Sequence, residues 1–548
     1  MQDPSPAGAG TAPSARRSDP AAADVAAPNR PNDADRDERR DGSARPEIVA
    51  AAVVAIAAGV VLRFVTRSAL WLDEALTVNI ASLPLGDLEQ ALRHDGHPPL
   101  YYVLLHGWME VFGEGDTAVR ALSGVFSVAS LGLAWLYGRR RGGPALAWCY
   151  AAVLAMAPFA LRYGSENRMY SLVMLLVLAG ALLIDDVVGR GRDGWGRLAG
   201  AAALTALLLY THYWAIWLLA AVVLWLAWRW WRHPDTASRR ACARLLGAMV
   251  VGGLAFLPWV PTMLYQSAHT GTPWSAPVRP TTVLALTLAD TAGGAFPDAG
   301  LVAAVTLVLA LLALFGRATS GRLITLDLRT ERRFRAEAVV TGLALALGTA
   351  FTYATWSAYA TRYAAIVVPL FLVLVAGGIT VFVARWVRFG ALVVLLVLFS
   401  IGAVWNVRDW RTQARQFADG IEAVAQPGDL VVYCPDQLGP ATSRALGDAG
   451  DELDQVVYPT FEGPRFVDWV DYGERNAAAD PDAFAAEALA RAQGQSIFLV
   501  WNSSYRTLES QCERLLAALG RARPAQEIVG NPGGRFYENG AVTWFPAQ

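Results

Sequence analysis

The chain has 548 residues, of which 54% are hydrophobic and 17% charged, and its formal net charge is -1. An ordinary soluble domain carries about a quarter charged residues, so this composition favours a membrane protein. The near-neutral charge argues against a general nucleic-acid binder. The four cysteines form no close cluster, which excludes a zinc ribbon or a disulfide scaffold.

The first 47 residues are rich in Ala, Pro, Asp and Arg and carry almost no large apolar side chain. Such a segment cannot bury enough surface to offset its ordering entropy, so we predict a disordered tail at 1–47. No signal-peptide pattern precedes the first apolar run at 48–65. That run is long enough to span a bilayer, and we expect an uncleaved first helix there.

An acidic loop follows the first run, with the sequence WLDEALTVNIASLPLGDLEQALRHDGHPPLYY at 71–102. Asp73 and Glu74 are adjacent, and Asp95 and His97 come later, close to apolar and aromatic residues. Two neighbouring carboxylates one turn beyond a membrane helix repel each other and lose hydration unless a cation, a substrate or a metal compensates. The alternative is a solvated loop, but the adjacent acids favour a functional interpretation.

Further apolar segments predict spans at 118–137, 144–161, 168–188, 197–212, 214–231, 243–262, 300–316, 336–356, 363–384 and 389–405. The segment LYYVLLHGWMEVF is short and contains His106 and Glu110. Arginine clusters occupy alternate loops, and they share one side only if this short segment does not cross. We therefore expect an interfacial helix at 99–113, about eleven spans, a cytoplasmic N-terminus and an outward-facing C-terminus.

With this topology, unusual polar residues fall on the outward face of the membrane. They are the acidic loop within 67–117, then Arg162, Tyr163, Glu166, Arg168 and Tyr170, then Thr211, His212, Tyr213 and Trp214, then Tyr353, Trp356, Tyr359, Arg362 and Tyr363. Each aromatic could instead belong to an interfacial belt, and each arginine could snorkel. Their segregation on one face favours chemistry at the outer leaflet.

Residues 406–548 are more charged and read as an extracytoplasmic α/β part with a parallel or mixed sheet. GDLVVYCP, DQVVYP, SIFLVWN and AVTWFP predict strands, and segments around 440–447, 482–493 and 508–520 predict helices. Without a GxGxxG or P-loop pattern, nucleotide binding is not expected. Cys434 and Cys512 could pair in an oxidising compartment. This part either recognises a glycan acceptor, with Asp436, Gln437 and Arg444 as candidates, or is structural.

The acidic pair, the HPPLYY step, the SENRMYS turn and the ATRYAAIVVPLFL run resemble GT-C membrane glycosyltransferases over roughly 48–405. The resemblance is to glycosyltransferase family 39, which includes protein O-mannosyltransferases, aminoarabinose transferases and Rgt-type enzymes, and to its actinobacterial members labelled mannosyltransferases. The implied fold is a polytopic α-helical GT-C catalytic domain. The aminoarabinose enzymes have a lysine before the double proline, whereas this chain has His97.

The resemblance implies transfer from a polyprenyl-phosphate sugar, with inversion, in a bacterial plasma membrane. Asp73 is the expected base, and Glu74 would orient it or bind the acceptor. The donor phosphate would contact Arg362, Tyr363, Arg168 and His97. The expected substrate-binding residues are Asp95, Glu166, Tyr170, His212 and Tyr213.

Several alternatives stay open at this point. A divalent metal could bind among Asp73, Glu74, His97 and His212, although no metal-binding spacing supports a particular site. A lipid-sugar transporter or flippase is the main rival, but it predicts repeated halves or broken helices near mid-membrane. The sugar remains open, as does the acceptor, which is a glycan, a lipoglycan or a protein.

Overall fold

The computed structural model describes residues 45–271, 278–294, 297–355, 357, 359–503 and 505–548. The predicted tail, apart from its last three residues, and Trp356 lie outside the described residues. The predicted fold class is confirmed, because apolar helices form most of the chain and a mixed sheet follows near its end.

Every segment predicted to span the membrane falls on a helix. The helices up to residue 408 are α1 (Pro46–Leu62), α2 (Leu72–Ala81), α3 (Leu88–Asp95), α4 (Leu100–Phe112), α5 (Asp116–Met156), α6 (Pro158–Gly164), α7 (Tyr170–Ile184), α8 (Trp195–Thr211), α9 (Ala215–Arg232), α10 (Thr236–Ala255), α11 (Val260–His269), α12 (Pro280–Thr291), α13 (Ala299–Phe315), α14 (Arg335–Ala354), α15 (Val368–Val381) and α16 (Arg385–Arg408). Short 3-10 turns at Leu257–Trp259 and Thr361–Ile366 and a π turn at Asp185–Gly189 interrupt this series, and a small hairpin pairs β1 (Gly316–Ala318) with β2 (Ile324–Leu326).

Among the described residues, six helical runs are long and apolar enough to cross a membrane. They are Asp116–Met156, Tyr170–Gly189, Ala215–Arg232, Thr236–His269, Arg335–Ala354 and Arg385–Arg408, and α1, α13 and α15 are shorter apolar helices. The longest run joins two predicted spans across a kink, since Gly142 and Gly143 leave helical geometry just before Pro144. Gly143 has a φ of 76°, which glycine adopts without a steric penalty.

The short segment at 99–113 forms α4, which packs against α2 and α5. Tyr101, Tyr102 and Leu105 are fully buried on its inner face, while Val111 is largely exposed. The apolar inner face of α4 is therefore already covered by other parts of the protein.

The C-terminal part contains α17 (Ala414–Glu422), α18 (Gly439–Leu446), α19 (Asp448–Asp451), α20 (Tyr472–Ala477), α21 (Pro481–Ala492) and α22 (Gln511–Ala522), with a 3-10 turn at Asp436–Leu438. Its strands are β3 (Trp410–Thr412), β4 (Leu430–Cys434), β5 (Asp454–Val457), β6 (Ile497–Trp501), β7 (Gln526–Val529), β8 (Phe536–Glu538) and β9 (Ala541–Phe545). All four predicted strands and all three predicted helices are present. The sequence patterns missed β3, β7 and β8.

The five-stranded sheet has the order β5-β4-β6-β9-β7. The β4 strand is parallel to β5 and β6, whereas β9 is antiparallel to both β6 and β7. Alternate residues of β4 enter two separate apolar cores, with Leu430 and Val432 in one and Val431 and Tyr433 in the other. The sheet is therefore covered on both faces, as its continuous apolar strands predict.

Two long-range links fix the C-terminal part. A disulfide joins Cys434 at the end of β4 to Cys512 in α22, with a Cα–Cα distance of 5.6 Å. A separate parallel pair, β3 with β8, aligns Trp410 with Phe536 and Thr412 with Glu538. This pair brings the last strands of the chain beside the first loop.

Candidate functional site

The site is centred on an ion pair between the acidic loop and the start of a late apolar helix. Asp73 lies in the first turn of α2, and Arg362 lies in the 3-10 turn before α15. The Arg362 guanidinium is 3.2 Å from the Asp73 Oδ2, and the two side chains are 30% and 19% exposed. Both groups are thus accessible to a substrate, and the structure brings together the expected base and the expected phosphate ligand.

Glu74 has a different environment, with no exposed surface. Arg120 donates to both of its carboxylate oxygens, at 2.7 and 2.5 Å, and the backbone N–H of Asn167 donates to Oε1 at 2.8 Å. Arg411 lies 3.7 Å from the same oxygen. Burial would raise the pKa of Glu74, but Arg120, Arg411 and Asn167 hold it below its usual value.

This environment corrects one expectation for Glu74. A fully buried carboxylate that is bonded through both oxygens cannot bind an acceptor directly. Of the two expected roles, the geometry supports orientation: Glu74 anchors the first turn of α2, which carries Asp73, to α5 and to the loop at Asn167.

A second group of predicted residues forms a continuous hydrogen-bonded chain. Tyr102 donates to Asp95 Oδ2 at 2.7 Å, and His97 Nδ1 lies 2.8 Å from the same oxygen. The other His97 nitrogen, Nε2, lies 2.9 Å from the Arg168 guanidinium, which also donates to the Thr77 hydroxyl at 2.7 Å. Since arginine can only donate, this network assigns the His97 Nδ1 as the nitrogen that donates to Asp95 and the Nε2 as the acceptor from Arg168.

The Asp95 side chain is only 4% exposed. Asp95 therefore positions His97 and Tyr102 rather than contacting a substrate from an exposed surface. Burial would raise the pKa of Asp95, but His97, Arg168 and the Tyr102 hydroxyl keep it below the usual value. Arg168 also donates to the backbone carbonyl of Asp73 at 3.3 Å. The second predicted phosphate ligand is thus in direct contact with the residue predicted to be the base.

Aromatic rings connect Arg168 and Arg362 along one wall. The His212 ring lies 5.6 Å from Tyr170 and 5.3 Å from Tyr363, and Tyr363 stacks on Trp214 at 5.0 Å. The backbone N–H of Trp214 donates to His212 Nδ1 at 3.1 Å, which assigns the ring proton to Nε2. Within the described part of the chain, the buried Tyr170 hydroxyl has no hydrogen-bond partner. The Tyr170 hydroxyl is therefore a buried, unpaired polar group on this wall.

Two predicted substrate-binding residues are already bonded to protein. Glu166 is 2% exposed, with Arg162 at 3.2 Å and Arg411 at 3.6 Å from its Oε2. The Tyr213 hydroxyl donates to Gln266 and accepts from Trp259 Nε1 at 2.9 Å. Their expected role in binding substrate is not supported by this geometry, because buried partners already satisfy the polar atoms.

The sequence patterns missed a contribution from the end of the chain. Glu538 in β8 is buried and accepts from the Leu72 N–H at 3.3 Å, at the start of α2. Tyr537, which is 69% exposed, packs edge-on against Trp71 at 5.3 Å, and the Arg362 guanidinium lies 5.9 Å from the Trp71 ring centre. The last strands therefore form one side of the site.

Glu538 is also unusual electrostatically. Burial, together with the negative charges of Asp73 and Glu74, raises the pKa of Glu538 to about 8, against hydrogen bonds from Thr412 and Leu72. Its Oε1 has no hydrogen-bond partner among the described residues. No pattern in the sequence around Phe536–Glu538 marks this residue, since its partner Leu72 lies 466 positions away.

The structure does not gather the metal-ligand candidates. No group of three or more His, Cys, Asp or Glu side chains able to hold a metal ion occurs among the described residues. Asp73 pairs with Arg362, Glu74 with Arg120, and His97 lies between Asp95 and Arg168. These donors face arginines, so the donor set favours binding of an anion rather than a cation.

The three residues singled out in the C-terminal part are mainly structural. Asp436 is buried and accepts from Tyr472 at 2.5 Å, and burial raises its pKa to about 6. Gln437 contacts the same hydroxyl at 3.2 Å. Arg444 donates to Asp116 at 3.1 Å, at the start of α5.

Comparisons with known proteins agree with this architecture. Residues 96–261 match the model of a family described as dolichyl-phosphate-mannose-protein mannosyltransferase. The apo structure of ArnT from Cupriavidus metallidurans is similar over 90% of this chain and 97% of that chain, with 14% identity and a TM-score of 0.55. No curated protein matches the chain.

Two further structures share the similarity at lower scores. ArnT from Cupriavidus metallidurans bound to undecaprenyl phosphate covers 90% of this chain and 97% of its own, with 13% identity and a TM-score of 0.49. An Archaeoglobus fulgidus oligosaccharyltransferase with zinc and sulfate covers 82% and 68%, with 13% identity and a TM-score of 0.45. The family match and the apo ArnT structure confirm the predicted resemblance to GT-C proteins; the actinobacterial type stays a prediction.

Proposed function

We propose that this chain is an integral-membrane glycosyltransferase, which moves a sugar from a polyprenyl-phosphate donor to an extracytoplasmic acceptor. The observation that carries the proposal is the partly exposed pair of Asp73 and Arg362, with Arg168 in contact with the Asp73 backbone. One carboxylate and two guanidinium groups meet at the end of apolar helices. This set can accept a proton and hold a phosphate in the same small volume.

The proposed reaction is a single displacement at C1 of the sugar, with inversion as the resemblance implies. An acceptor hydroxyl oxygen attacks C1, the bond from C1 to the phosphate oxygen breaks, and the hydroxyl proton passes to Asp73. The electron pair of the broken bond stays on the lipid phosphate, whose negative charge Arg362 and Arg168 stabilise. In the described structure Arg362 pairs with Asp73, so binding of a phosphate to Arg362 would free the carboxylate for the proton.

Neighbouring residues keep these groups in place. Because His97 accepts from Arg168 and donates to Asp95, it fixes the position of the Arg168 guanidinium. Tyr170 has a free hydroxyl, and Tyr363 lies on the aromatic wall next to Arg362, so both are placed to contact the donor. Glu74 and Glu538 act on the position of α2 rather than on the substrate.

The proposed domain division follows from this placement. Residues 1–47 are a cytoplasmic tail, residues 48–405 form the catalytic membrane domain, and residues 406–548 form an extracytoplasmic part beside the site. The arginine clusters support this orientation through the positive-inside rule. The bonded Cys434 and Cys512 also support it, because disulfides persist mainly in oxidising compartments. A bacterial plasma membrane fits both features.

The transporter alternative has less support. It expects irregular helices near the middle of the membrane, whereas the break at Gly142 and Gly143 lies beside the arginine cluster Arg139–Arg141. The site residues instead meet at the opposite ends of their helices. We therefore retain the enzyme as the proposed function.

Transfer from radiolabelled polyprenyl-phosphate sugars tests the proposal. The donor panel starts with mannose, since the matched family model names it, and includes aminoarabinose, arabinose and galactose; envelope membranes supply the acceptor. We expect Asp73→Asn to reduce transfer by about 100-fold or more, the range of general acid–base catalysis. Asp87→Asn, an exposed acid in the same loop, is the matched control and should leave transfer unchanged.

Equal transfer by the parent and by Asp73→Asn would contradict the assignment of the base and leave the enzyme class standing. Absence of transfer from every donor, with folded protein and envelope membranes present, would contradict the glycosyltransferase itself.

A further inference from the structure

A cavity lies between α7, α8, α9 and α14, at the arginine-rich ends of these helices. Its volume is about 240 Å³, and apolar side chains form most of its wall. This is smaller than a pocket for a complete drug-sized ligand, which is roughly 300–1,000 Å³. The size suits one hydrocarbon chain. Gly180 in α7 lines the cavity, and a Cβ built there would meet no atom within 4 Å.

The charged end of the cavity has an excess of arginine. Its two acidic lining residues are already paired, Asp185 with Arg190 at 3.1 Å and Glu337 with Arg141 at 2.9 Å. Arg229 and Arg332 also line the cavity. Neither of them forms an ion pair with another described residue.

Arg229 and Arg332 lie at the same end because α9 and α14 run antiparallel. Trp217 near the start of α9 packs against Phe351 near the end of α14, with ring centres 4.8 Å apart. The end of α9, which carries Arg229, therefore lies beside the start of α14, where Arg332 precedes the helix. The Arg229 Nε atom is buried and, within the described chain, has no hydrogen-bond partner.

We propose that this cavity binds one acidic glycerophospholipid from the surrounding bilayer. One acyl chain would occupy the apolar space next to Gly180, and the headgroup phosphate would contact Arg229 and Arg332. The charge balance carries the assignment, because the unpaired charges at the mouth are both positive and the interior is apolar. The site is separate from Asp73 and Arg362, so the proposal does not depend on the proposed function.

Native mass spectrometry of the delipidated full-length chain tests this assignment. The probes are palmitoyl-oleoyl phosphatidylglycerol and the phosphatidylcholine with the same acyl chains. We expect a preference for phosphatidylglycerol. The double variant R229Q/R332Q should reduce this preference by about tenfold to thirtyfold, because each arginine contributes a similar amount to the free energy of binding an anionic lipid. The control is R240Q/R322Q, which removes one exposed arginine from α10 and one from the turn between β1 and β2 and should retain the preference.

A second variant tests the acyl-chain part of the site. Gly180→Leu places a side chain in the free space and should weaken binding of both lipids while Arg229 and Arg332 remain. Thermal unfolding in the same detergent verifies that each variant is folded.

Three outcomes would overturn the proposal. The first is equal binding of the two lipids, or a preference that survives R229Q/R332Q. The second is displacement of phosphatidylglycerol by millimolar inorganic phosphate, which would reduce the site to an anion site. The third is displacement by undecaprenyl phosphate at equimolar concentration, which would assign the cavity to a polyprenyl lipid.

Discussion

Asp73 and Glu74 are neighbours in the chain but belong to two different regions of the molecule. The mouth of the site contains the partly exposed pair of Asp73 and Arg362, whereas the cluster behind it contains the fully buried Glu74 with Arg120 and Arg411. Successive residues of an α-helix point about 100° apart, so one turn of α2 delivers one acid to each region. The same residue type therefore has a chemical role in one region and a structural role in the other.

The difference lies in what compensates each charge. At the mouth, Arg362 and solvent together stabilise the charge of Asp73. A substrate phosphate can replace the Asp73 carboxylate as the partner of Arg362. In the buried cluster, every charge depends on a protein partner, because removing one leaves another unpaired in a medium that solvates it poorly. Substitutions at the mouth should therefore lower transfer activity, whereas substitutions in the buried cluster should lower stability.

The largest effect on stability is expected from Glu74→Gln. This change leaves Arg120 buried opposite a neutral group, which should lower the free energy of unfolding by about 3 to 5 kcal/mol. The melting temperature in detergent measures this loss. If Glu74→Gln has the same melting temperature as the parent protein, the buried cluster does not determine the stability of the fold.

Arg362→Gln should lower the turnover number by about 100-fold while the melting temperature changes little. The reason is that the leaving phosphate loses one preorganised cation, an effect typically of that size in catalysis. Arg362→Lys keeps the charge but not the planar, bidentate geometry, so it should recover only part of the rate. A large loss of melting temperature in Arg362→Gln would instead assign Arg362 to the structural region.

Glu538 should give the protein a distinctive dependence on pH. With a native pKa of about 8 against an ordinary value of 4.5, the folded protein holds a proton that the unfolded chain has released between those pH values. The contribution of Glu538 to stability is therefore complete below about pH 4.5 and declines as the pH rises towards 8, by at most about 5 kcal/mol.

Glu538→Gln mimics the protonated form and removes this decline. The difference in melting temperature, variant minus parent, should therefore increase from pH 5 to pH 9. The exposed Glu527→Gln in β7 is the matched control, for which a flat difference is expected. A flat difference for Glu538→Gln as well would show that its carboxylate is ionised at neutral pH.

The smallest change in stability is expected from Asp73→Asn. A partly exposed ion pair contributes about 0 to 1 kcal/mol, so this variant should melt within a few degrees of the parent although its transfer activity is lost. Comparing its melting curve with that of Glu74→Gln measures the contrast between the two regions directly. Equal destabilisation by the two variants would remove the distinction.

The sequence predicted the mouth of the site better than its support. Asp73 and Arg362 could be placed together because charged residues beside apolar segments are conspicuous, and the arginine distribution put both on one face. The buried partner of Glu74 was missed, since Arg120 looks like an ordinary arginine at the start of an apolar run. Only the three-dimensional packing of α2 against α5 reveals that it is fully engaged.

Glu538 shows a different limit of sequence patterns. Hydrophobic periodicity identifies elements that are several residues long, and β8 has only three. Its pairing with β3 and its bond to Leu72 join distant parts of the chain, which local propensity does not encode. The longer strands of the C-terminal sheet were predictable because they are apolar and bounded by turn residues.

The pairing of β8 with β3 also determines when the site is completed during biosynthesis. Asp73 is inserted with the first helices, but Tyr537 and Glu538 follow it in the chain by 464 and 465 residues. The first loop therefore receives the contact between Leu72 and Glu538 only after β8 has been synthesised. A nascent or truncated chain that lacks β8 would hold the acid and the arginine without the wall that orders them.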